Sequence, residues 1–328
     1  MTAVLLPDSV DFAIIRRTEH GNRVHWTQSI PEERQVRVPE RTNRRLAELL
    51  APQITADGFS PTSLHGVEYM RAVTSTPRHP IVYTPRIVVI AQGHKRVWLG
   101  EREYVYDPEH LLVLSVPMPF DCQTTASEEE PLLGLAISVD PILVGELLLE
   151  MGDAANGEPS SYVSSTAVNE EVMDASVRLA EALASRSAGC ILGPQIVREI
   201  VYRVLTGEEG DVLRLLVSQP NRHGHIARVL RRIHADYADD LDVTSLAREA
   251  HMGVSTFHHA FRDATSTSPL QYLKSIRLHK ARALLVTEGL NAQDAARRVG
   301  YASASQFSRE YRRMFGRSPA SDRAAVPA

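Results

Sequence analysis

One pattern of residues occurs twice near the C-terminal end of the chain. Its members return forty-nine or fifty positions later: Ala247 and His251 as Ala296 and Gly300, and Phe257, Phe261, Thr265 and Pro269 as Phe307, Tyr311, Phe315 and Pro319. Aromatic residues four positions apart lie on one face of a helix, and each aromatic pair follows a short helical segment and a turn. The repeat therefore predicts two helix-turn-helix units.

Apolar spacing sets the expected helices of this region. Support helices are predicted at residues 243–250 and 294–299, and second helices at residues 255–264 and 303–315, with Ser303 as the N-cap of the last one. A single long helix at residues 270–286 joins the two units and is expected to hold them in register. Two second helices held in this way can enter successive major-groove segments, about 34 Å apart.

The solvent-facing arcs of the second helices suit the DNA major groove, since short polar side chains beside an arginine can reach base edges. For one helix alone, an ordinary solvated face is as good an interpretation, and the repetition favours DNA. The predicted base-reading residues are Ser255, His258, His259, Ala304, Ser305, Ser308 and Arg309. The predicted phosphate contacts are Arg262, Lys274, Arg277, Arg298, Arg312 and Arg313.

Charge is divided unevenly along the chain. The whole sequence of 328 residues has a formal net charge of −4, but residues 221–328 contain 17 Lys+Arg and 10 Asp+Glu, a net of +7, and the remainder carries −11. The sign changes near Pro220 and Asn221, which favour a linker. We expect an extension of uncertain structure at residues 1–40, a ligand-sensing and dimerisation domain at 41–218 and a DNA-binding domain at 219–328.

The sequence of residues 67–139 is typical of a β-sheet protein. Eight short apolar or β-branched runs separated by turn residues predict a cupin-like barrel or jelly roll, at residues 67–73, 81–84, 87–92, 95–99, 103–106, 111–116, 120–124 and 132–139. Helices are predicted at 41–53 and, after Asp140-Pro141, at 142–151, 169–185, 193–205 and 212–217. These helices are expected to pack on the sheet, and one or two exposed apolar faces to pair two subunits.

A barrel of this kind suggests a pocket for an organic ligand. A metal-dependent cupin needs a His-x-His pair, but Lys95 and Arg96 follow His94, so no metal, cofactor or catalysis is expected. The predicted walls are Tyr83, Trp98, Tyr104, Tyr106 and Phe120, and the predicted orienting groups are Arg86, Gln92 and Lys95. Cys122 is either a thiol that reacts with an electrophile or oxidant, or a buried inert side chain. For any single aromatic residue, a place in the core is the simpler interpretation.

Two cysteines, Cys122 and Cys190, are too few for a disulfide framework and favour a reducing compartment. The N-terminal residues lack the apolar stretch of a secretory signal, and no apolar run reaches the ~18–20 residues of a membrane span. The expected protein is soluble and cytoplasmic.

The C-terminal segment contains three motifs: SQFSREYRRMFGRSP at 305–319, Gly300-Tyr301, and IRLHKARALL at 276–285. With them it resembles the AraC/XylS family of transcriptional regulators. The sensor domain of one subgroup is resembled by VIAQGHKRVWLGEREYVYD at 89–107, LSVPMPFDC at 114–122 and ELLLEMG at 146–152. The resemblance implies a bacterial one-component activator or repressor whose sensor domain alters DNA binding or promoter activation. The expected partners are promoter DNA, a small-molecule effector, RNA polymerase and a second copy of the chain. In the family, the base-reading positions correspond to Ser255, His258, His259, Ala304, Ser305 and Arg309.

The first unit departs from the family at two turns. His251 stands where relatives have Gly, and Thr-Ser-Thr-Ser-Pro at 265–269 replaces Thr-Gly-Met-Ser-Pro. A left-handed backbone at a non-Gly residue costs roughly 1 kcal/mol, so the first unit is expected to be the less stable.

The expected fold is an α+β multidomain chain: an N-terminal cupin-like β-barrel with flanking helices and a C-terminal all-α double helix-turn-helix. The expected function is sequence-specific, ligand-controlled transcription regulation. Two alternatives are a cupin-type small-molecule enzyme fused to a DNA-binding module, and an architectural DNA binder whose sensor has lost its ligand.

Overall fold

A computed structural model describes residues 14–19, 24–29, 40–152, 161–208, 210–217 and 221–324. The chain divides into two compact units, Met1–Arg37 and Val38–Ala328. In the first unit, strands β1 (Ile14–Glu19) and β2 (Val24–Ser29) pair antiparallel, which the sequence pattern did not indicate. The rest of residues 1–39, and residues 218–220 at the predicted domain boundary, lie outside the described residues.

The N-terminal half of the second unit is rich in antiparallel strands. They are β3 (Gly58–Pro61), β4 (Val67–Ala72), β5 (Thr76–Tyr83), β6 (Arg86–Gln92), β7 (His94–Leu99), β8 (Arg102–Tyr106), β9 (His110–Leu114), β10 (Met118–Thr125), β11 (Leu132–Ser138) and β12 (Val163–Ala167). All eight predicted runs form strands, and β3 and β12 are additional.

The strands form two sheets that do not close into a barrel, whereas the sequence pattern left a barrel or a jelly roll open. One sheet has the order β5-β10-β7-β8 and the other the order β12-β9-β6-β11-β4-β3. Two short strands, β3 and β8, stand at sheet edges, and the longer edge strand β5 contacts helices of the C-terminal half. Short or covered edges protect a sheet without closure.

The position of strand β6 between two cores explains why its sequence is continuously apolar. Val88 and Ile90 face the core between the two sheets, while Ile87 and Val89 face a second core beneath the helices. Successive side chains of a strand point to opposite faces, so a strand covered on both sides needs apolar residues at every position.

Five helices belong to this half: α1 (Glu40–Leu50), α2 (Pro141–Met151), α3 (Glu170–Leu183), α4 (Arg186–Thr206) and α5 (Gly210–Arg214). As predicted, Asp140 caps α2, its carboxylate accepting the Ile142 N–H at 2.8 Å, with Pro141 in the first turn. Helix α4 begins earlier than the predicted residue 193. Gly193 lies inside this helix, where the Leu64 side chain packs closely: a Cβ on Gly193 would stand 2.7 Å from it.

The C-terminal half is all helical. Its helices are α6 (Arg222–Ala235), α7 (Val243–Glu249), α8 (Val254–Thr265), α9 (Pro269–Thr287), α10 (Ala292–Arg298), α11 (Ala304–Phe315) and α12 (Pro319–Ala324). The α7–α8 and α10–α11 pairs are the two predicted helix-turn-helix units, and α9 joins them. Over the described residues, no helix has both the length and the apolar character that a membrane span requires.

The two helix-turn-helix units differ in what they pack against. Phe257, Phe261 and Tyr272 belong to the same continuous core as the residues between the two sheets. The second unit has a separate core around Phe307 and Tyr311. The first unit is therefore joined to the sheets by apolar packing.

Candidate DNA-binding and effector sites

Side-chain caps begin three of the four helices in the helix-turn-helix units. Asp242 accepts the N–H groups of Thr244 and Ser245, each at 2.9 Å, at the start of α7. Asn291 accepts the Asp294 N–H at 2.9 Å to begin α10, and Ser303 accepts the Gln306 N–H at 3.3 Å to begin α11, as the sequence predicted. These bonds satisfy free amides of the first turns.

The turns of the two units adopt the same left-handed backbone with different residues. His251 has φ 54° where the second unit has Gly300 at 81°, and Ser266 has φ 56° where the second unit has Gly316 at 73°. A Cβ on Gly300 would stand 2.3 Å from the Ala238 carbonyl oxygen, so that turn requires glycine. His251 is exposed, which explains why a larger residue fits in the first unit.

Aromatic stripes bury one face of each second helix and leave the opposite face in solvent. The rings of Phe257 and Phe261, and those of Phe307 and Tyr311, lie 5.5 Å apart, and all four residues are buried. Among the predicted base-reading residues, His258 and Ser308 are half-buried and five are exposed: Ser255, His259, Ala304, Ser305 and Arg309.

The six predicted phosphate contacts fall into two groups. Arg262, Arg298, Arg312 and Arg313 are exposed, and their guanidinium groups form no hydrogen bond or ion pair with another described residue. Lys274 and Arg277 are bonded within the chain. The Lys274 ammonium lies 2.8 Å from Glu310, and Arg277 donates to the carbonyl oxygens of Tyr237 (2.7 Å) and Asp239 (2.8 Å).

Glu310, which sequence reasoning missed, orients the second helix of the second unit. Its carboxylate accepts hydrogen bonds from Lys274 at 2.8 Å, Tyr301 at 2.8 Å and Gln306 at 3.2 Å. Although burial opposes ionisation, these donors hold the pKa of Glu310 below its usual value. Helix α11 is thereby tied to α9 through a charged, hydrogen-bonded contact. The only sequence signal was an acid on an otherwise basic helix.

Six of the nine predicted pocket residues lie together between the two sheets. The Tyr83 hydroxyl lies 3.0 Å from the Tyr106 hydroxyl and 3.8 Å from the Cys122 sulfur. Phe120 packs on Tyr83, with ring centres 5.9 Å apart. Arg86 and Lys95 lie over the Tyr83 ring, at 5.5 and 5.9 Å. Sequence reasoning missed Phe59, which both cations also contact.

Lys95 is buried without a carboxylate partner among the described residues. Burial lowers the pKa of its ammonium group, but Tyr83 and Cys122 outweigh that effect, and the net shift is upward. The group stays charged at neutral pH. Burying a charged group costs free energy, so apolar packing alone does not explain a buried lysine beside a phenol and a thiol.

The other three predicted pocket residues lie elsewhere. The Gln92 amide donates to the Pro131 carbonyl oxygen at 3.0 Å. The Arg78 guanidinium lies 4.6 Å from the Trp98 ring centre, on the other face of the sheet from Lys95. Tyr104 lines a cavity with Arg102 and Arg222, between β8 and α6.

Three hydrogen bonds connect the sheets to the helical half. Tyr272 on α9 donates to the Pro117 carbonyl oxygen at 2.5 Å, and Ser266 donates to that of Leu99 at 3.2 Å. Tyr162, before β12, donates to the His223 carbonyl oxygen at 3.1 Å. Two of these bonds tie the sheets, at Leu99 and Pro117, to the residue that follows α8 and to the first turn of α9.

Two family models match the chain. Residues 63–212 match the N-terminus of AraC-type transcriptional regulators, and residues 246–325 match a helix-turn-helix domain. The chain belongs to the AraC/XylS family of transcriptional regulators. The resemblance seen in the C-terminal motifs is thus confirmed over most of the chain.

Curated members of the family resemble the chain over different lengths. The probable thc operon regulatory protein of Rhodococcus erythropolis is 26% identical over 78% of this chain and 73% of its own length. AlkR of Acinetobacter baylyi is 38% identical over 30% of this chain and 32% of its own, and RclR of Escherichia coli is 35% identical over 40% and 43%. The chain spans less than half the length of these last two.

The fold has a solved counterpart. An apo form of ToxT from Vibrio cholerae aligns with a TM-score of 0.53 at 11% identity, covering 82% of this chain and 99% of ToxT. At this identity the likeness establishes the shared architecture of sheets followed by helices.

Proposed function

We propose that this chain is a sequence-specific DNA-binding transcription regulator controlled by a small organic ligand. The observation that carries the proposal is the pair of exposed polar arcs on α8 and α11. Helix α8 has one exposed arginine and α11 has three, and none of them has an acidic partner among the described residues. Such arcs fit the major groove, where arginine can bond both acceptors of guanine. Two units on one rigid connecting helix favour recognition of two successive groove segments.

We propose that the basic part of the chain binds DNA and the acidic part senses the ligand. Residues 219–328 form the DNA-binding part, with Arg262, Arg298, Arg312 and Arg313 contacting phosphate and Ser255, His258, His259, Ala304, Ser305, Ser308 and Arg309 facing the bases. Residues 41–218 form the ligand-sensing part. The solved ToxT structures include one bound to an unsaturated fatty acid, which supports ligand binding by this architecture.

The proposed action is activation through RNA polymerase. RclR and RhaS, two relatives of this chain, are named transcriptional activators. The matched segment of RhaS, 27% identical, spans 48% of this chain. The proposal for this chain rests on those names and on its family.

A homodimer is the proposed assembly. Five of the eight large hydrophobic residues that are exposed in the described part of the chain lie on two neighbouring helices, α2 and α4: Ile142, Leu149, Ile191, Leu192 and Tyr202. Arg198 on α4 reaches Glu146 and Glu150 on α2, at 3.4 and 2.6 Å, and holds the two helices side by side. A second copy of the chain is the natural cover for such a face.

Replacing Arg309 with alanine tests the DNA-binding proposal. We expect Arg309→Ala to weaken binding to the DNA upstream of the chain's own gene by about 1–3 kcal/mol, and to leave binding to scrambled DNA nearly unchanged. Binding is measured by fluorescence anisotropy at a fixed salt concentration. Arg297→Ala is the matched control, because Arg297 is exposed on α10 and pairs locally with Asp294. Equal losses on specific and scrambled DNA would contradict base readout by Arg309.

A further inference from the structure

Helix α8 begins with an exposed apolar side chain. Val254 is its first residue and is 43% exposed. None of the three apolar cores of the described chain includes it. The preceding residue, Gly253, has no atom within 4 Å of the position that a Cβ would take, so the space beside it is open. The Val254 side chain is therefore accessible to a molecule that approaches the first unit from outside.

The internal repeat places Val254 on the proposed DNA-reading surface. Val254 and Ala304 are fifty positions apart, and each is the first residue of the second helix of its unit. Ala304 is one of the predicted base-reading residues, whereas Val254 is not. Ser255, which follows Val254, is exposed and belongs to the predicted set. Since the N-terminal residues of a recognition helix contact base edges in the major groove, Val254 lies where such contacts are made.

The chemistry of the valine side chain selects its partner on DNA. An isopropyl group has no hydrogen-bond donor or acceptor, so it cannot bond the polar atoms of a base edge. The 5-methyl group of thymine is the apolar group that the major groove presents, and apolar side chains contact it. Valine in a helix is nearly confined to one χ1 rotamer, so it loses little conformational freedom on contact.

Position distinguishes Val254 from other exposed apolar residues. Single exposed apolar residues are common on protein surfaces and need no special role. Val286 on α9 is such a residue, 39% exposed and outside both second helices. The two valines are alike in type and in exposure, and they differ in that only Val254 adjoins predicted base-reading residues. Val286 is thus a matched control.

We propose that Val254 is a specificity-determining residue of the first unit and recognises a thymine by packing on its 5-methyl group in the major groove. The inference deepens the proposed function, on which it rests, by naming a base that the first unit reads. The second unit has Arg309 at the position that His259 holds in the first, and arginine favours guanine. The two halves of the DNA site are therefore expected to differ in sequence.

Removal of one methyl group from the DNA tests the proposal. The full chain first selects its preferred duplexes from a random-sequence library. Each thymine of the selected site is then replaced in turn by deoxyuridine, which forms the same base pair and lacks the 5-methyl group. At one position the replacement should weaken binding by the parent chain about threefold to fivefold, the effect of exposing one methyl group. Fluorescence anisotropy at a fixed salt concentration measures each affinity.

Three variants locate the contact on the protein. In Val254→Ala, deoxyuridine at that position should lose most of its effect, because the apolar partner of the methyl group has been removed. Val254→Ile keeps a branched apolar side chain and should retain the effect. Val286→Ala, the same truncation on α9, should retain it in full. Thermal melts confirm that each variant is folded.

Two results would overturn the proposal. One is that no thymine of the selected site is sensitive to deoxyuridine in the parent chain. The other is that every sensitive thymine is as sensitive in Val254→Ala as in the parent chain, or that Val286→Ala removes the sensitivity equally.

The outcome is separable from that of the proposed function. A selection that yields no preferred sequence refutes the regulator proposal, and this inference with it. A preferred sequence that is bound more weakly by Arg309→Ala, and whose thymines behave alike in Val254→Ala and the parent chain, leaves the regulator proposal standing and refutes only the role of Val254.

Discussion

His251 and Ser266 show which properties of a single residue can be predicted from a repeat. Alignment with Gly300 and Gly316 predicts that both take the left-handed backbone, and their φ values of 54° and 56° agree. The contact that makes Gly300 obligatory could not be predicted, because Ala238 lies far away in sequence and approaches only in the folded chain. Sequence alignment therefore reports the conformation of a turn, and the structure reports how much space surrounds it.

The left-handed turn after α11 allows a direct measurement of backbone strain. Gly316 has φ 73° and no atom within 4 Å of the position that a Cβ would take, so a side chain there meets only the conformational cost. Gly316→Ser, which imitates Ser266, is expected to lower the free energy of unfolding by about 1 kcal/mol in chemical denaturation. Gly253→Ser is the matched control, because Gly253 has φ −66°, free space and an N-cap position that serine favours. Equal destabilisation by both variants would show that the left-handed backbone at residue 316 is not the cause of the loss.

At the scale of elements, the residue pattern predicted eight strands and missed β3 and β12. The eight predicted strands are apolar at alternate or successive positions, whereas β3 and β12 have the sequences GFSP and VSSTA. Both are sheet edges, but so are the predicted β5 and β8, so the missed strands are set apart by their few large apolar residues. The sequence pattern therefore predicted eight of the ten strands described in this half and did not decide between a barrel and a jelly roll.

Alternation also explains which of the predicted pocket residues lie together. Lys95 and Trp98 are three positions apart on β7, and residues at that spacing point to opposite faces of a strand. Lys95 is accordingly buried between the sheets, and Trp98 stacks with Arg78 on the other side. The residue types indicated a polar, aromatic cluster correctly. Its membership depends on strand register, which the sequence does not state.

Helix α9 is held to the sheets by one buried hydroxyl whose removal has a predictable cost. Tyr272 is buried and donates to the Pro117 carbonyl oxygen, and its ring packs on Phe261 at 5.4 Å. Tyr272→Phe keeps the ring and leaves the carbonyl unpaired, so we expect a loss of about 1–2 kcal/mol in unfolding free energy. Hydrogen exchange should rise in the first turns of α9 and in β10 and not in α11. Tyr202→Phe, at an exposed position on α4, should have no effect; an unchanged Tyr272→Phe variant would contradict the role of this bond.

For the whole molecule, the uneven charge predicted a basic DNA-binding part, and the packing adds a constraint that charge does not contain. The first helix-turn-helix unit shares its apolar core with the acidic sheet region, while the second unit has its own core. The two units are thus packed unequally against the sheets. Sequence could not show this, because the apolar stripes of α6, α8 and α9 look alike whether they cover one another or also cover a sheet.

The proposed dimer face on α2 and α4 makes the last prediction. Ile191 is 70% exposed on α4, next to the exposed Cys190, so a charge at this position should oppose subunit pairing without disturbing the fold. We expect Ile191→Asp to sediment as a monomer at concentrations where the parent chain is a dimer. Val286→Asp, an exposed apolar position on α9, is the control and should remain dimeric. A short bismaleimide should link Cys190 to its counterpart in the parent chain, since Cys122 is buried. A dimer that survives Ile191→Asp and resists this crosslink must form through another surface.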